Sequence, residues 1–327
     1  MFDVHFHWYP KDLLELARKA YPQHHFLRLP FEDTEAGLRY MDAHGIRTAL
    51  VDWGAHLDFL LDAYPAGRSE GCRVLNERAA ELTRTHPGRF LFCAAVDALA
   101  GERAVSGLEG AVGDFGAAAL GMQACFVKNG RTVFPHDKSF WPLYAKAEQL
   151  GLPVFVHPMP PPYWPDLPAE VHFMGSDWGF LLGNLLAINL MAGAGVFDAF
   201  PKLSFIFCQL GGFFPVALGR SDLGWDMQRD IPIRNAASPD IKLVRLRDYA
   251  GRFFVDIHSM DAAAIRCAAD TIGADHILFS TDFPITSVRM GAQWHLEQVR
   301  KADLGQEATR AIISRNALSL FPTAGKG

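Results

Sequence analysis

Short runs of apolar residues recur along the whole chain, each bounded by turn residues or by a helical pattern. Runs of this length that are rich in β-branched and aromatic residues are typical of buried β-strands. We count eight of them and predict eight strands, at residues 2–7, 47–53, 90–96, 124–129, 153–158, 203–212, 253–259 and 276–284.

Between several of these runs the apolar positions follow a helical period. Phe140, Leu143, Tyr144, Ala147 and Leu150 fall on one face of a helix, which Gly151 and the following proline end. Similar patterns predict helices at 72–86, 262–272 and 307–321. Apolar strands alternating with helices, without a linker or a break in composition, predict an α/β fold, a (β/α)8 TIM barrel formed by residues 1–327 as a single domain.

Motifs and composition narrow the function classes. No helix opens with G-x-G-x-x-G or G-x-x-x-x-G-K-[ST], which disfavours dinucleotide-binding and P-loop folds. Half of the 327 residues are hydrophobic, which excludes a disordered chain. The formal net charge is −5, and no Lys/Arg-rich run is present. We therefore expect a small-molecule partner rather than nucleic acid or a membrane surface.

The cysteines and the N-terminus predict a cytoplasmic protein. The five cysteines are odd in number, widely spaced and free of C-x-x-C pairs, a pattern typical of reduced thiols. The first residues carry acidic and imidazole groups where a signal peptide would need basic and apolar ones. Residues 178–197 lack charge, but Asn184 and Asn189 interrupt them, so we predict a buried helix rather than a membrane span.

Candidate chemistry lies at the ends of the predicted strands. In TIM barrels, active-site side chains come from the carboxyl ends of strands and the loops that follow. In this chain those positions hold two histidines of a His-x-His pair, then another histidine, a glutamine, a further histidine and an aspartate: His5, His7, His157, Gln209, His258 and Asp282.

Four of these residues together suggest a metal site. Alternate residues of a strand point to the same side, so His5 and His7 can reach one ion. His157 and Asp282 end two other predicted strands, and a carboxylate at the end of an apolar strand is costly unless it is solvated, paired or bound to metal. Three imidazoles and one carboxylate suit Zn²⁺ or another divalent first-row ion.

The chain resembles the amidohydrolase superfamily, and specifically the amidohydrolase-2 family typified by aminocarboxymuconate-semialdehyde decarboxylase and resorcylate-type aromatic decarboxylases. The resemblance covers nearly the whole chain and rests on the blocks at 3–7, 76–77, 86–90, 152–158, 195–203, 210–212, 273–284 and 316–317. It implies that His5, His7, His157 and Asp282 hold one catalytic metal ion, with zinc favoured and manganese as the alternative. It also implies a homodimer.

One position departs from the family pattern. The family usually has a histidine immediately before the Leu-Gly-Gly block at 210–212, acting as acid/base beside the metal, and this chain has Gln209. Glutamine exchanges no proton near neutral pH. Three explanations stay open: Gln209 orients a substrate carboxylate or water while Asp282 or His258 moves the proton, it marks a catalytically silent member, or it is an engineered substitution.

Other residues are weaker candidates. Lys128 ends the fourth run, where two-metal amidohydrolases carry a carbamylated lysine, but the resemblance is to the single-metal branch, which favours a structural role. The rigid, aromatic segment at 157–164 is a candidate pocket wall for a planar substrate. The mouth of the pocket has five further candidates: Trp53, His56, His172, Trp178 and Arg220.

The resemblance favours a metal-dependent decarboxylase of an aromatic or conjugated carboxylic acid, in which Asp282 delivers the proton. The first alternative is a metal-dependent hydrolase or hydratase of a lactone, amide or conjugated keto acid. That reaction generally needs a base to activate water, which Gln209 does not supply. The second is a barrel that binds its ligand without turnover.

Overall fold

The computed structural model describes residues 1–228, 241–286, 290–322 and 324. Eight parallel strands form one sheet in the order β1-β2-β3-β4-β7-β8-β9-β10, and β5 and β6 form a separate antiparallel hairpin. The strands are β1 (Phe2–His7), β2 (Thr48–Asp52), β3 (Phe90–Ala94), β4 (Ala119–Gln123), β5 (Phe126–Lys128), β6 (Arg131–Val133), β7 (Val154–His157), β8 (Phe205–Phe207), β9 (Phe254–Asp256) and β10 (Ile277–Leu278).

Backbone hydrogen bonds between β1 and the segment after β10 close this sheet into a barrel. Val4 N donates to Phe279 O at 3.0 Å, and His7 N donates to Phe283 O at 2.7 Å. All pairings within the eight-stranded sheet are parallel. The predicted (β/α)8 barrel is confirmed.

Helices surround the strands. They are α1 (Lys11–Ala20), α2 (Thr34–His44), α3 (Leu57–Asp62), α4 (Arg68–Thr85), α5 (Glu102–Gly113), α6 (Trp141–Leu150), α7 (Phe180–Ala194), α8 (Val196–Ala199), α9 (Phe214–Gln228), α10 (Ala262–Ile272), α11 (Gly291–Lys301), α12 (Gln306–Arg310) and α13 (Asn316–Leu320). The predicted helix at 262–272 has these bounds in the structure, and the one at 307–321 is divided by a π-helical turn, Ala311–Arg315.

The charge-free segment at 178–197 contains α7, which follows a π-helical turn at Gly175–Gly179. Asn184 is fully buried on α7, and its Nδ2 donates to Cys208 O at 2.9 Å. Among the described residues, no helix combines the length and apolar character needed to cross a membrane.

The prediction for the fourth strand is wrong. Residues 124–129 do not join the barrel, because Phe126–Lys128 pairs with Arg131–Val133 in the hairpin. The fourth barrel strand is Ala119–Gln123, between β3 and β7. Its alanine, glycine and methionine have weaker strand propensity than the Phe-Val pair that follows, so local preference favoured the wrong run. Lys128 is exposed on the hairpin, in keeping with a structural role.

Two apolar layers hold the barrel together. Seven of the eight barrel strands contribute to an inner cluster that includes Phe2, Leu50, Phe155 and Ile206. Phe321, just after α13, joins this cluster and packs against Phe2 with ring centroids 5.5 Å apart, covering the end of the barrel where β1 begins. A larger cluster lies between the strands and the helices. The carboxyl ends of the strands are therefore the end left for a site.

Candidate metal centre and active site

His5 and His7 lie on one side of β1, and their rings meet edge-on with centroids 4.9 Å apart. Pairing between β1 and β2 shifts register between Asp3 and Phe6. Both imidazoles are buried, and their Nε2 atoms are 3.2 Å apart. The strand geometry thus brings the two rings together, as the His-x-His spacing predicts.

A protein acceptor fixes the other nitrogen of each candidate ligand histidine. His5 Nδ1 lies 2.9 Å from Asp256 Oδ2, His7 Nδ1 3.0 Å from Asp52 O, and His157 Nδ1 2.8 Å from Pro158 O. Carboxylates and carbonyls only accept, so each Nδ1 carries the hydrogen and each Nε2 of a neutral ring presents a lone pair. This is the arrangement of histidines that ligate metals.

The donor atoms fit a cation. Ligand atoms of His5, His7, Asp52 and His157 all lie within 4.8 Å of one another. Two lone pairs 3.2 Å apart repel unless a cation or a proton lies between them. Gly54 leaves room beside them, because a Cβ at that position would stand 2.8 Å from His7 Cε1 and 3.3 Å from His157 Nε2. The imidazole and carboxylate set suits a divalent first-row metal ion.

Asp282 joins the same cluster from the segment after β10. Its Oδ1 is 2.9 Å from His7 Nε2 and 3.5 Å from His5 Nε2. Burial raises its pKa, but the charge of His258 and the close approach of His7 and His5 outweigh burial, so the pKa is lowered. Asp282 is therefore an ionised carboxylate on the Nε2 side of the histidines, whereas Asp52 Oδ2 lies 3.8 Å from His7 Nδ1.

Gln209 and His258 form a second group beside the cluster. Gln209 lies in the turn after β8 and His258 two residues after β9, so neither ends its strand as predicted. Gln209 Nε2 is 3.1 Å from His258 Nε2, and Gln209 Oε1 is buried without a hydrogen-bond partner among the described residues. His258 Nε2 is 3.9 Å from Asp282 Oδ2, so this group lies directly beside one of the candidate ligands.

Asp256 connects the two groups. Its Oδ2 accepts from His5 Nδ1, while its Oδ1 accepts from Gln209 N at 2.9 Å and His258 Nδ1 at 3.2 Å. Burial raises the pKa of Asp256, but the charge and hydrogen bond of His258 and those of His5 hold it well below its usual value. Burial lowers the pKa of His258, yet the charge and hydrogen bond of Asp256 outweigh burial and raise it.

The site concentrates strained backbone. Gln209, Ser259 and Asp282 have φ values of 53°, 59° and 58°, in the left-handed region that side chains rarely adopt. Each such residue costs about 1–3 kcal/mol, and non-glycine residues held this way cluster at functional sites. These turns direct the chain at three neighbouring strand ends toward one point.

A cavity of about 600 Å³ opens over these groups, large enough for a single aromatic ring with substituents. Gln209, His258, His157 and Asp282 contribute to its lining. The remaining walls are largely aromatic, aliphatic and proline side chains, among them Phe26, Phe59, Pro158, Met159, Pro160, Trp178, Phe180, Leu181, Met260 and Ile285.

Some of the residues predicted at the pocket mouth line the cavity, and others do not. His56 and Trp178 line the cavity, and so does the first part of the 157–164 segment. Trp53 does not, because it is buried and its Nε1 donates to Cys93 O at 2.7 Å. Arg220 is exposed on α9 and is absent from the described lining. The side chain of His172 lies outside the described part of the structure.

Sequence reasoning missed Asp256, Asp52 and His24. Asp256 and Asp52 are acidic residues near the ends of apolar strands, which is the signal that selected Asp282. The argument that selected Asp282 would also select Asp256 and Asp52 if it were extended to the end of every strand. His24 lies in a polar loop with no periodicity, and only the fold brings it to the cavity.

The comparisons with known proteins agree with this architecture. The amidohydrolase family model Amidohydro_2 matches residues 2–323. Gamma-resorcylate decarboxylase of Rhizobium radiobacter is 30% identical over 318 residues, covering 91% of this chain and 89% of its own. The 2-amino-3-carboxymuconate-6-semialdehyde decarboxylase of Dictyostelium discoideum is 28% identical and covers 79% of this chain and 68% of its own.

A solved structure supports the fold. The dihydroxybenzoic acid decarboxylase of Polaromonas sp. JS666, with bound manganese and the inhibitor 2-nitroresorcinol, superposes with a TM-score of 0.74 at 21% identity. The match covers 98% of this chain and 96% of that one. The family model, the relatives and the barrel lead to one conclusion: this chain belongs to the amidohydrolase-2 family.

Proposed function

We propose that this protein is a metal-dependent decarboxylase, a carbon–carbon lyase acting on an aromatic or conjugated carboxylic acid. The observation that carries the proposal is the set of converging imidazole nitrogens and one ionised carboxylate at the floor of a largely apolar cavity. The named decarboxylases among the family relatives support the reaction class.

The proposal assigns His5, His7, His157 and Asp282 as the metal ligands. A divalent ion bound by them would attract the carboxylate and a neighbouring oxygen of the substrate and would stabilise negative charge there. Asp256, Asp52 and the Pro158 carbonyl fix the ligand rings, so little reorganisation is needed on binding. The apolar walls exclude water and suit the planar face of an unsaturated acid.

Decarboxylation requires one proton from the protein. The bond between the substrate carbon and its carboxylate breaks, the electron pair stays on carbon, CO₂ leaves, and a proton takes its place. We assign Asp282 as the group that delivers this proton, and protonated His258, 3.9 Å away, as the group from which Asp282 first takes it; both line the cavity. Gln209 Nε2 donates to His258 Nε2 while that ring is neutral, and Gln209 Oε1 remains available to accept from a substrate hydroxyl or water.

Gln209 bears on the alternatives. A hydrolase or hydratase needs a base that activates water, and Gln209 is not one, so that reaction would depend on Asp282 or His258. A silent member would lack a proton donor, whereas His258 is held by Asp256 at the cavity. Zinc as the native metal, with manganese as the alternative, a cytoplasmic location and a homodimer belong to the same proposal. The five cysteines are all free, in keeping with a reducing compartment.

A substrate panel tests the proposal. Metal-loaded protein is incubated with hydroxybenzoates and muconate-type acids, and CO₂ release is measured beside hydrolysis of lactones and amides. The proposal expects CO₂ from at least one acid and no hydrolysis. Hydrolysis without CO₂ release contradicts it, and so does an inert native chain whose Gln209→His variant is active.

A further inference from the structure

A group of rings forms the wall of the cavity contributed by α3, its preceding turn and the loop after α1. We call His24, Phe26, His56 and Phe59 the distal wall. Its rings are in mutual contact: His24 lies 4.3 Å from Phe59 and 5.5 Å from His56, both edge-on, measured between centroids. The metal ligands lie on other elements, so this wall meets a different part of any bound molecule.

Hydrogen bonds fix the tautomer of His56. The hydroxyl of Tyr9 is 3.0 Å from Trp53 O and 2.9 Å from His56 Nδ1. That hydroxyl has one hydrogen, and the Trp53 carbonyl can only accept, so Tyr9 donates to Trp53 and His56 Nδ1–H donates to the Tyr9 oxygen. The reverse arrangement would leave the carbonyl facing a lone pair.

The remaining nitrogen of His56 is thus an acceptor. His56 lines the cavity, and its Nε2 has no hydrogen-bond partner among the described residues. Burial, chiefly, lowers the pKa of His56 to about 3, so the ring stays neutral.

His56 is also close to the metal cluster. The Tyr9 ring contacts both the His7 ring and the His56 ring, with centroids 6.2 Å and 5.8 Å away. An aromatic acid whose carboxylate lies at the ligands would therefore extend its ring toward the distal wall. The described lining of the cavity contains no lysine or arginine that would neutralise a second carboxylate there.

Building on the proposed function, we propose that His56 selects the substrate: its Nε2 accepts a hydrogen bond from a hydroxyl on the ring edge remote from the scissile carboxylate. The substrate class is then a hydroxylated aromatic monocarboxylic acid with a donor at that edge. A bound aromatic acid that lacks this hydroxyl leaves His56 Nε2 buried without a donor. Polar mismatches of this kind discriminate strongly between substrates in enzyme pockets.

Equilibrium binding tests this assignment independently of turnover. Metal-loaded protein is titrated with 2-hydroxybenzoate, 2,4-dihydroxybenzoate and 2,5-dihydroxybenzoate, and the ratio of dissociation constants is compared. We expect native protein to bind one of the dihydroxy acids about tenfold more tightly than 2-hydroxybenzoate. In His56→Phe that ratio falls to about one, and in Tyr9→Phe, whose His56 tautomer is no longer fixed, it falls partway.

Two controls separate folding from selectivity. His25 is exposed beside the distal wall and absent from the lining, so His25→Phe should keep the native ratio. His56→Gln, which restores an acceptor, should recover part of it. A native ratio near one, or a ratio that His56→Phe leaves unchanged, overturns the role of His56. Failure of all the acids to bind or to release CO₂ would instead contradict the proposed function.

Discussion

The two sides of the cavity floor are built differently. One side, called the ligand side, holds three of the proposed metal ligands: His5, His7 and His157 each carry a hydrogen on Nδ1 that a fixed acceptor receives, and each ring is buried. On the other side, the Gln209 and His258 side chains contact each other, and Gln209 Oε1 is unpaired among the described residues. Hydrogen bonds therefore fix every ring on the ligand side, whereas the Gln209 side keeps an acceptor that a bound substrate can use.

This difference explains how the residue at position 209 can change without disturbing the proposed metal ligands. Gln209 is held through its backbone N–H by Asp256, not through its side chain. Asp256 also holds His5, so the ligand geometry depends on a carboxylate that the exchange leaves in place. Chemistry on the Gln209 side can therefore vary while the ligand side stays the same.

The largest effect is expected from breaking the ligand side. His5→Ala removes one imidazole and leaves the Asp256 carboxylate without that partner. We expect loss of bound metal and a fall in kcat/KM of about 1,000-fold or more, comparable with removing a catalytic metal. Metal content by mass spectrometry and CO₂ release measure it, with His25→Ala as the control. Full metal content in His5→Ala would contradict the ligand assignment.

A second variant changes only the side of the cavity floor formed by Gln209 and His258. His258→Gln keeps a polar side chain at the cavity but removes the titratable group. We expect kcat to fall about 100-fold, within the usual contribution of a general acid, while the metal content stays at the native value. Stopped-flow CO₂ detection and metal analysis on the same sample check this. Loss of metal together with activity would mean that the two sides are not separable.

Substitution of Asp256 tests whether this carboxylate couples the two sides of the cavity floor. In Asp256→Asn the charge is lost but hydrogen-bond acceptance is partly kept. Metal affinity should fall about 10–100-fold, as is usual for residues that orient metal ligands, and kcat should fall as well. Competition with a chelator gives the affinity. An unchanged affinity would limit Asp256 to orienting Gln209 and His258.

Substitutions of Gln209 are expected to change kcat less. Because His258 and Asp282 supply the proton in our proposal, Gln209→His should change kcat by less than about tenfold, and Gln209→Ala should lower it by about tenfold through loss of one hydrogen bond. Steady-state kinetics on the preferred acid measure both. A gain of 100-fold or more in Gln209→His would favour the silent-member explanation.

The last prediction concerns folding stability rather than activity, at His295, which supports the turn after His258. His295 Nε2 accepts from Ser259 N at 3.1 Å, and Nδ1 lies 2.8 Å from Gly291 O. Burial, chiefly, lowers its pKa to about 4. The unfolded chain then binds more protons between about pH 6.5 and pH 4, so stability falls as pH falls through that window, by at most about 1.4 kcal/mol per pH unit.

Urea unfolding at several pH values measures this slope. His295→Gln lacks the titration, so its stability should depend less steeply on pH than that of the native protein between pH 6.5 and 4. Equal slopes for the two proteins would show that His295 does not titrate as its burial implies.

Much of the fold follows from local patterns. Seven of the eight predicted strand runs contain a barrel strand, because buried parallel strands produce continuous apolar runs. The fourth failed because β4 owes its place to pairing with β3 and β7 rather than to strand propensity. The His-x-His spacing alone predicted that His5 and His7 share one side.

The supporting contacts could not be predicted in the same way. Asp256, His258 and Gln209 come from two strands whose turns adopt unusual backbone conformations, and their mutual contacts depend on those turns. His24 and His56 reach one wall only because a loop folds over the barrel end. Long-range geometry of this kind leaves no periodic trace in the sequence.

Metal dependence of decarboxylation is tested by following metal content and CO₂ release together in the native protein. The protein is stripped with a chelator and titrated with Mn²⁺ or Zn²⁺, while CO₂ release from the preferred acid is recorded at each step. We expect activity to rise with metal and to saturate at about one ion per chain. CO₂ release that is independent of metal, or a fully loaded native chain that releases none, would contradict this expectation.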